Sequence, residues 1–335
     1  MRLLKILSIA LALTLATALP AAAATVIKIA TIAPDGTAWM REMRATADAI
    51  KKATDDRVEL KLYPGGVMGD NATVLRKIKI GQLQGSAFTG GEAGVITKDA
   101  EIYGMPFLFR SQAEVDKVRA KVDPILKDAV RKNGFELIGV TGGGFAYLMS
   151  TKDIKTRDDL KNAKVWVPQG DEIAELTFKT AGVTPVPLPL SDVYTSLQTG
   201  LIDTAANTES GAIAFQWHTK IKHVVDMPII YVVGEVLVDK KTFDALGAAD
   251  QKIVADQFDG AFERLDKTNR ADNASAREAL KSQGITFFSP DAAERTRWEG
   301  VGADAYKELT AQHAFSPDLQ KAIDAALAEA RGASK

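Results

Sequence analysis

Residues 159–207, DLKNAKVWVPQGDEIAELTFKTAGVTPVPLPLSDVYTSLQTGLIDTAAN, read as strand, helix, strand, helix, strand, with turn or capping residues at each switch. Short strands joined by helices pair through crossovers into a sheet that helices then cover, which restricts such a run to α/β architecture. The N-terminal third repeats the order. Residues 26–30 are an apolar first strand, and Asp35 opens a helix with Trp39, Met43, Ala47 and Ile50 at three- and four-residue spacing. Val58, Leu60 and Leu62 alternate with Glu59 and Lys61 in a second strand that ends at Pro64-Gly65-Gly66. A helix over 71–80 and a strand over 85–88 follow, so a largely parallel sheet is expected.

Beyond Ser111, Asp123 before Pro124 is an N-cap and N1 pair that predicts two helices, the second closed by Asn133-Gly134. A strand over 135–140 meets Gly142-Gly143-Gly144, and another over 146–150 begins at once. No helix follows those glycines to aim amides at a phosphate, so they are expected to mark a flexible crossover between domains. One more apolar strand covers 231–238. Residues 250–283 keep Val254, Phe258, Ala261, Phe262 and Leu265 on one side, with Gly260 the only glycine. They form either one helix of roughly 50 Å, long enough to brace two domains, or two helices broken near Gly260.

The ends and the composition bound the compartment. Arg2 and Lys5 precede an apolar stretch over 6–19 and four alanines at 21–24, the layout of a cleaved export signal. At about 1.5 Å per residue that stretch covers roughly 21 Å, short of the ~30 Å hydrocarbon core. Cleavage near Ala24 would leave a soluble exported chain without cysteine, hence without disulfides or a lipid anchor on sulfur. Removing Arg2 and Lys5 from 42 basic residues leaves 40 against 43 acidic, a net charge of −3, which argues against nucleic acid as a partner. The remaining length suits two domains.

Catalytic chemistry finds little support. His218, His223 and His313 have no partners at metal-ligand spacing, so no metal is expected, and no cofactor motif appears. There is no G-x-S-x-G elbow, P-loop or G-x-G-x-x-G after a strand. The expectation is a protein that is not an enzyme.

Four segments carry a resemblance: PGGVMGD at 64–70, GMPFLFR at 104–110, DLKNAKVWVP at 159–168 and GVTPVPLPLSDVYTSLQTGLIDTAAN at 182–207. In this order and at these separations the chain resembles the extracytoplasmic solute-binding proteins of TRAP transporters, the DctP-type family, over essentially its whole mature length. The resemblance implies an α/β, two-domain periplasmic-binding-protein clamshell (type II-like) with a long bracing helix. It implies a hinge where two strands cross, near Gly144 and Val232, dividing domain I (25–144 plus 233–275) from domain II (145–232 plus 276–335). The implied function is capture of a small solute by hinge closure and delivery to the TRAP membrane permease subunits, in the periplasm. Within the same fold a sensor that presents its ligand to a signalling receptor is the alternative; a periplasmic hydrolase or lyase is a more distant one.

One departure from the family pattern bears on the cargo. Most members carry an arginine on the strand that here reads KVWVP, where it holds a substrate carboxylate; this chain has Trp166. A guanidinium is a charged planar fork matched to two carboxylate oxygens, whereas an indole offers one neutral N–H and an apolar face. A second basic position of the family falls at Ala146. A simple C4-dicarboxylate or sialic acid is therefore not the expected ligand. An apolar, amphipathic or aromatic solute is, or a cation held by ring faces. The alternative is that Trp166 is core packing and another base, such as Lys152, meets a carboxylate. The Trp-bearing variant is similar to a subgroup that works with a periplasmic tetratricopeptide-repeat protein, a possible further partner. The residues expected around the ligand are Thr31 in the loop after the first strand; Phe88, Thr89 and Glu92 after the third; Phe145 and Tyr147; Trp166 and Gln169; and Asn207 and Glu209, with Asn207 matching the family's pocket asparagine. Asp171 reads as a helix cap.

Overall fold

The computed structural model describes residues 24–332, so the segment read as an export signal lies outside the described residues except for Ala24. The chain runs β1 (Thr25–Ala30), α1 (Ala38–Ala53), β2 (Val58–Tyr63), α2 (Asn71–Lys79), β3 (Gly85–Thr89), α3 (Gly90–Ala93), α4 (Gln112–Lys132) and β4 (Phe135–Ser150). It continues through β5 (Trp166–Pro168), α5 (Glu172–Thr180), β6 (Val186–Leu188), α6 (Val193–Thr199), β7 (Thr204–Asn207), α7 (Glu209–Ala214) and β8 (His223–Asp239). It ends with α8 (Lys240–Asp244), α9 (Ala248–Ser282), β9 (Thr286–Phe288), α10 (Ala292–Ala311) and α11 (Pro317–Gly332).

Strands order as β2-β1-β3-β8-β4-β7, with β9 on β8 and a β5-β6 pair reached through a Val165–Thr204 bridge. The pairs β1–β2, β1–β3 and β5–β6 are parallel, as expected, and so is β8–β9. The centre is not: β3–β8, β4–β8 and β4–β7 are antiparallel. Strands β4 and β8 are long enough to serve two lobes. Their Phe135–Asp239 end joins β1–β3, and their Ser150–His223 end joins β7 and β9. In one lobe Met43, Ile50, Val236, Phe258 and Phe262 pack α1 and α9 on one sheet face, while Val118, Leu126 and Leu237 fill the other beneath α4 and α11. In the second lobe Leu148, Val167 and Phe178 form one cluster with α10, and Trp166, Leu197 and Trp217 another.

Four expectations are corrected. The first helix starts at Ala38, because Thr37 and not Asp35 is its cap, its hydroxyl accepting Met40 N at 3.2 Å. Pro124 does not divide α4: the buried stripe Val115, Val118, Val122, Leu126, Val130 runs through it, and that packing outweighs one missing amide bond. The triple glycine does not interrupt the strand; β8 supplies partners on both sides, and the irregularity is absorbed as a register shift between Gly142 and Gly144. The strand over 231–238 is not the last: a short one, β9, follows the long helix and pairs with β8. The long helix is a single 35-residue element through Gly260.

Candidate functional site

Between the lobes lies a cavity of about 830 Å³, walled by loops at strand ends and by β4, β8 and α9. The β1–α1 loop is fixed on one side by Thr31 N to Tyr63 O (3.0 Å) and Gly66 N to Thr31 O (3.0 Å), which tie it to the Pro64-Gly65-Gly66 turn. On the opposite side, Asn207 sits at the end of β7 with Oδ1 accepting from Thr208 N at 2.8 Å. No acceptor among the described residues meets its Nδ2, and Asn207 lines the cavity with that donor group to spare.

Two carboxylates reach the cavity from opposite lobes, each held by a helix start. Glu92, 7 % exposed, accepts Thr89 N and Thr89 Oγ1 through Oε2, both at 3.0 Å, in a capping box. Asp171 caps α5, with Oδ1 accepting from Ala174 N at 2.9 Å. Its Oδ2 rests against Gly91, where an added Cβ would lie only 2.3 Å away; glycine is needed there so the two lobes can meet. Burial pushes the Asp171 carboxyl up to about 6 despite that cap. Nearby, Lys98 joins the lobes by pairing with Glu172 at 2.8 Å and Glu101 at 3.4 Å. Desolvation, with Asp171 beside it, raises Glu101 to about 8.

Of the residues expected around a ligand, Thr31, Phe88, Thr89, Glu92, Trp166 and Asn207 line the cavity. Phe145, Tyr147, Gln169 and Glu209 do not. The register shift at Gly144 (φ 114°) reverses side-chain parity along β4, so Thr141 and Gly143 face the cavity before it and Leu148 after it. Phe145 instead meets Tyr231 edge-on, with ring centroids 5.2 Å apart. Tyr147 lies under the Arg277 guanidinium, and burial pushes its hydroxyl up to about 12. Glu209 pairs with the same Arg277 at 3.2 Å, and burial raises its carboxyl. Gln169 is exposed beyond the end of β5. Trp166 has a double role: its ring borders the cavity, yet its N–H donates to Leu188 O at 2.9 Å and its edge packs on buried Trp217. Lys152 is engaged elsewhere, with Asp203 at 2.7 Å and Asn162 O at 3.0 Å. Sequence reasoning had Asp171 only as a cap; the Gly91 contact that makes it a cavity residue spans the two lobes and leaves no local signal.

The α9 helix attaches to the strand crossover by a stripe of polar side chains. Asp266 Oδ1 accepts from Gly142 N and Thr141 Oγ1 at 2.5 and 2.6 Å. Asn269 donates to Gly142 O at 2.9 Å and Asn273 to Gly143 O at 2.7 Å. Asn273 Oδ1 also accepts from Ser210 on α7, N at 3.1 Å and Oγ at 2.6 Å. The glycines it holds, Gly142 and Gly143, directly precede Gly144, which pairs with Val232 in the β4–β8 ladder. Among the described residues no cluster of three His, Asp or Glu side chains could hold a metal.

A family model described as bacterial extracellular solute-binding protein, family 7 (DctP) matches residues 29–313. The chain is similar to the C4-dicarboxylate-binding periplasmic protein DctP of Rhodobacter capsulatus, 25 % identical over 328 residues covering 96 % of each chain. It is also similar to the sialic acid-binding periplasmic protein SiaP of Vibrio cholerae, 23 % identical over 284 residues, 83 % of this chain and 87 % of that one. Among solved structures, a TRAP periplasmic solute-binding protein from Desulfovibrio salexigens with bound orotic acid superposes with a TM-score of 0.85 at 21 % identity, over 91 % of this chain and 99 % of that one.

Proposed function

The chain belongs to the DctP family, family 7 of the bacterial extracellular solute-binding proteins, and from that premise we propose that it is the periplasmic solute-binding component of a TRAP-type uptake transporter with an apolar or amphipathic cargo. It captures the solute in the inter-lobe cavity by hinge closure and delivers it to the membrane permease subunits; it performs no chemistry on it. The observation that carries the cargo reading is the wall of the cavity: among the described residues its only basic one is Arg41, whose Nη1 donates to Gly36 O at 2.5 Å. A dicarboxylate buried there would meet one guanidinium for two carboxylates, leaving at least one charge unpaired at a cost of several kcal/mol.

One lobe comprises residues 25–144 with 233–275 and the C-terminal helix α11 (Pro317–Gly332), and the other 145–232 with 276–311. The expected place of the chain's end in the second lobe is corrected, because α11 packs beneath α4 in the first. The lobes move about the Gly144–Val232 crossing under α9. Supporting this are the register shift at that crossing and the α9 stripe that grips it. A ligand closes such a hinge only through its higher affinity for the closed form. Export with cleavage after Ala24 agrees with β1 beginning at Thr25. Isothermal titration of the mature protein tests the cargo: succinate and malate are expected to give no heat of binding at micromolar concentrations. Micromolar or tighter affinity for either would refute the reading.

A further inference from the structure

We propose that the cargo is an organic cation, a protonated amine or quaternary ammonium on an apolar body, with Glu92 and Asp171 as its counter-ions. This rests on the reading of the cavity as the cargo site. The cavity wall carries four acidic residues, Asp35, Glu92, Asp171 and Asp272, against Arg41 alone. Two of the four are unlike surface carboxylates. Glu92 is nine-tenths buried, and Asp171, half-buried, lies between the lobes against Gly91. In each, one oxygen is fixed by a helix cap; Oε1 of Glu92 meets no donor among the described residues, and Oδ2 of Asp171 rests against Gly91. Lys98 is the nearby base; it pairs with Glu101 and Glu172, and its charge also acts on Asp171 without a direct ion pair to it among the described residues.

A carboxylate so held cannot turn away to water, and two brought together across a cleft repel each other until a positive charge lies between them. An anion would meet that repulsion in full; a neutral solute would leave it unrelieved. The rest of the wall suits the body of such a cation. Trp39, Phe88, Trp166, Phe215, Tyr231 and Trp298 line it, and aromatic rings hold ammonium groups through their quadrupole. Asn207 Nδ2 adds a single donor for a polar substituent. The two carboxylates lie on opposite lobes, so a cation between them stabilises the closed form specifically.

Three probes that share one body test the charge: 2-phenylethylammonium, 2-phenylethanol and 3-phenylpropionate, titrated calorimetrically into the mature protein. The cation is expected to bind about tenfold or more tightly than the alcohol, and the acid not at all. Glu92→Gln and Asp171→Asn preserve the capping groups, which circular dichroism melting checks. Each is expected to weaken the cation about tenfold and leave the alcohol unchanged. Equal or tighter binding of the acid or alcohol, no binding of the cation at millimolar concentration, or unchanged cation affinity in both variants would overturn the proposal. The solute released by denaturing protein purified from the periplasm, identified by mass spectrometry, separates the two readings. A neutral or anionic solute removes the cation and leaves uptake standing; an amine or quaternary ammonium supports both.

Discussion

Glu235 is fully buried on β8, between Phe88 of β3 and Val140 of β4, and neither carboxyl oxygen has a hydrogen-bond partner among the described residues. Burial raises it from 4.5 to about 8; Asp123 adds to the shift and Arg119 opposes it. Arg119 cannot do more, because it already pairs with Asp123 at 3.2 Å and Asp266 at 2.9 Å. The folded state therefore keeps a proton that the unfolded chain releases above its ordinary value. The stability this proton contributes is complete below pH 4.5 and is lost as pH rises toward 8, at about 1.4 kcal/mol per pH unit for one proton. Between pH 5 and pH 7 the loss is about 2.5 kcal/mol. Glu235→Gln keeps the shape and removes the titration. Urea unfolding followed by circular dichroism at pH 5, 6 and 7 should show the variant gaining about 2.5 kcal/mol on the parent across that range, whatever its absolute stability. Other groups that titrate there, Asp171 and Glu101 included, are common to both proteins and cancel in the difference. Parallel pH profiles, within about 0.5 kcal/mol, would mean that Glu235 is ionised or solvated in the fold, and the argument would fail.

Gly144 has φ 114°, and a Cβ on it would lie 2.4 Å from Asn273 Nδ2, so Gly144→Ala should cost about 1–3 kcal/mol in thermal unfolding; an unchanged melting temperature would contradict the strain at the crossing. Trp166→Phe keeps the ring on Trp217 and loses the bond to Leu188 O, predicting a loss of about 1–3 kcal/mol in stability with solute affinity little changed. A tenfold loss of affinity at unaltered stability would show instead that the indole N–H serves the ligand.

Much of the fold was legible because its signals are local. Hydrophobic period marked β1, β2, β3 and the helices, and Asn133-Gly134 closed α4 where expected. The family segments pointed to the clamshell and to the Asn207 wall. What failed were places where a distant segment supplies the stabilisation. Pro124 stays helical because the core beneath α4 rewards a continuous apolar stripe, and the glycines at 142–144 stay in a strand because β8 pairs them and α9 grips their peptides.

The site divides along the same line. By itself the sequence determined the class of architecture, the absence of a guanidinium at position 166, and the acidic and aromatic residues available near strand ends, since these follow from residue identity and short-range pattern. Only the tertiary structure decided which of them face the cleft. A register shift at Gly144 turned Phe145 and Tyr147 away, Leu188 O took the Trp166 N–H, and the meeting of lobes at Gly91 made a helix cap, Asp171, into a cavity wall. Side-chain direction in a strand depends on every register step before it, and desolvation of a carboxylate depends on what packs over it; both are properties of contacts between segments far apart in the chain.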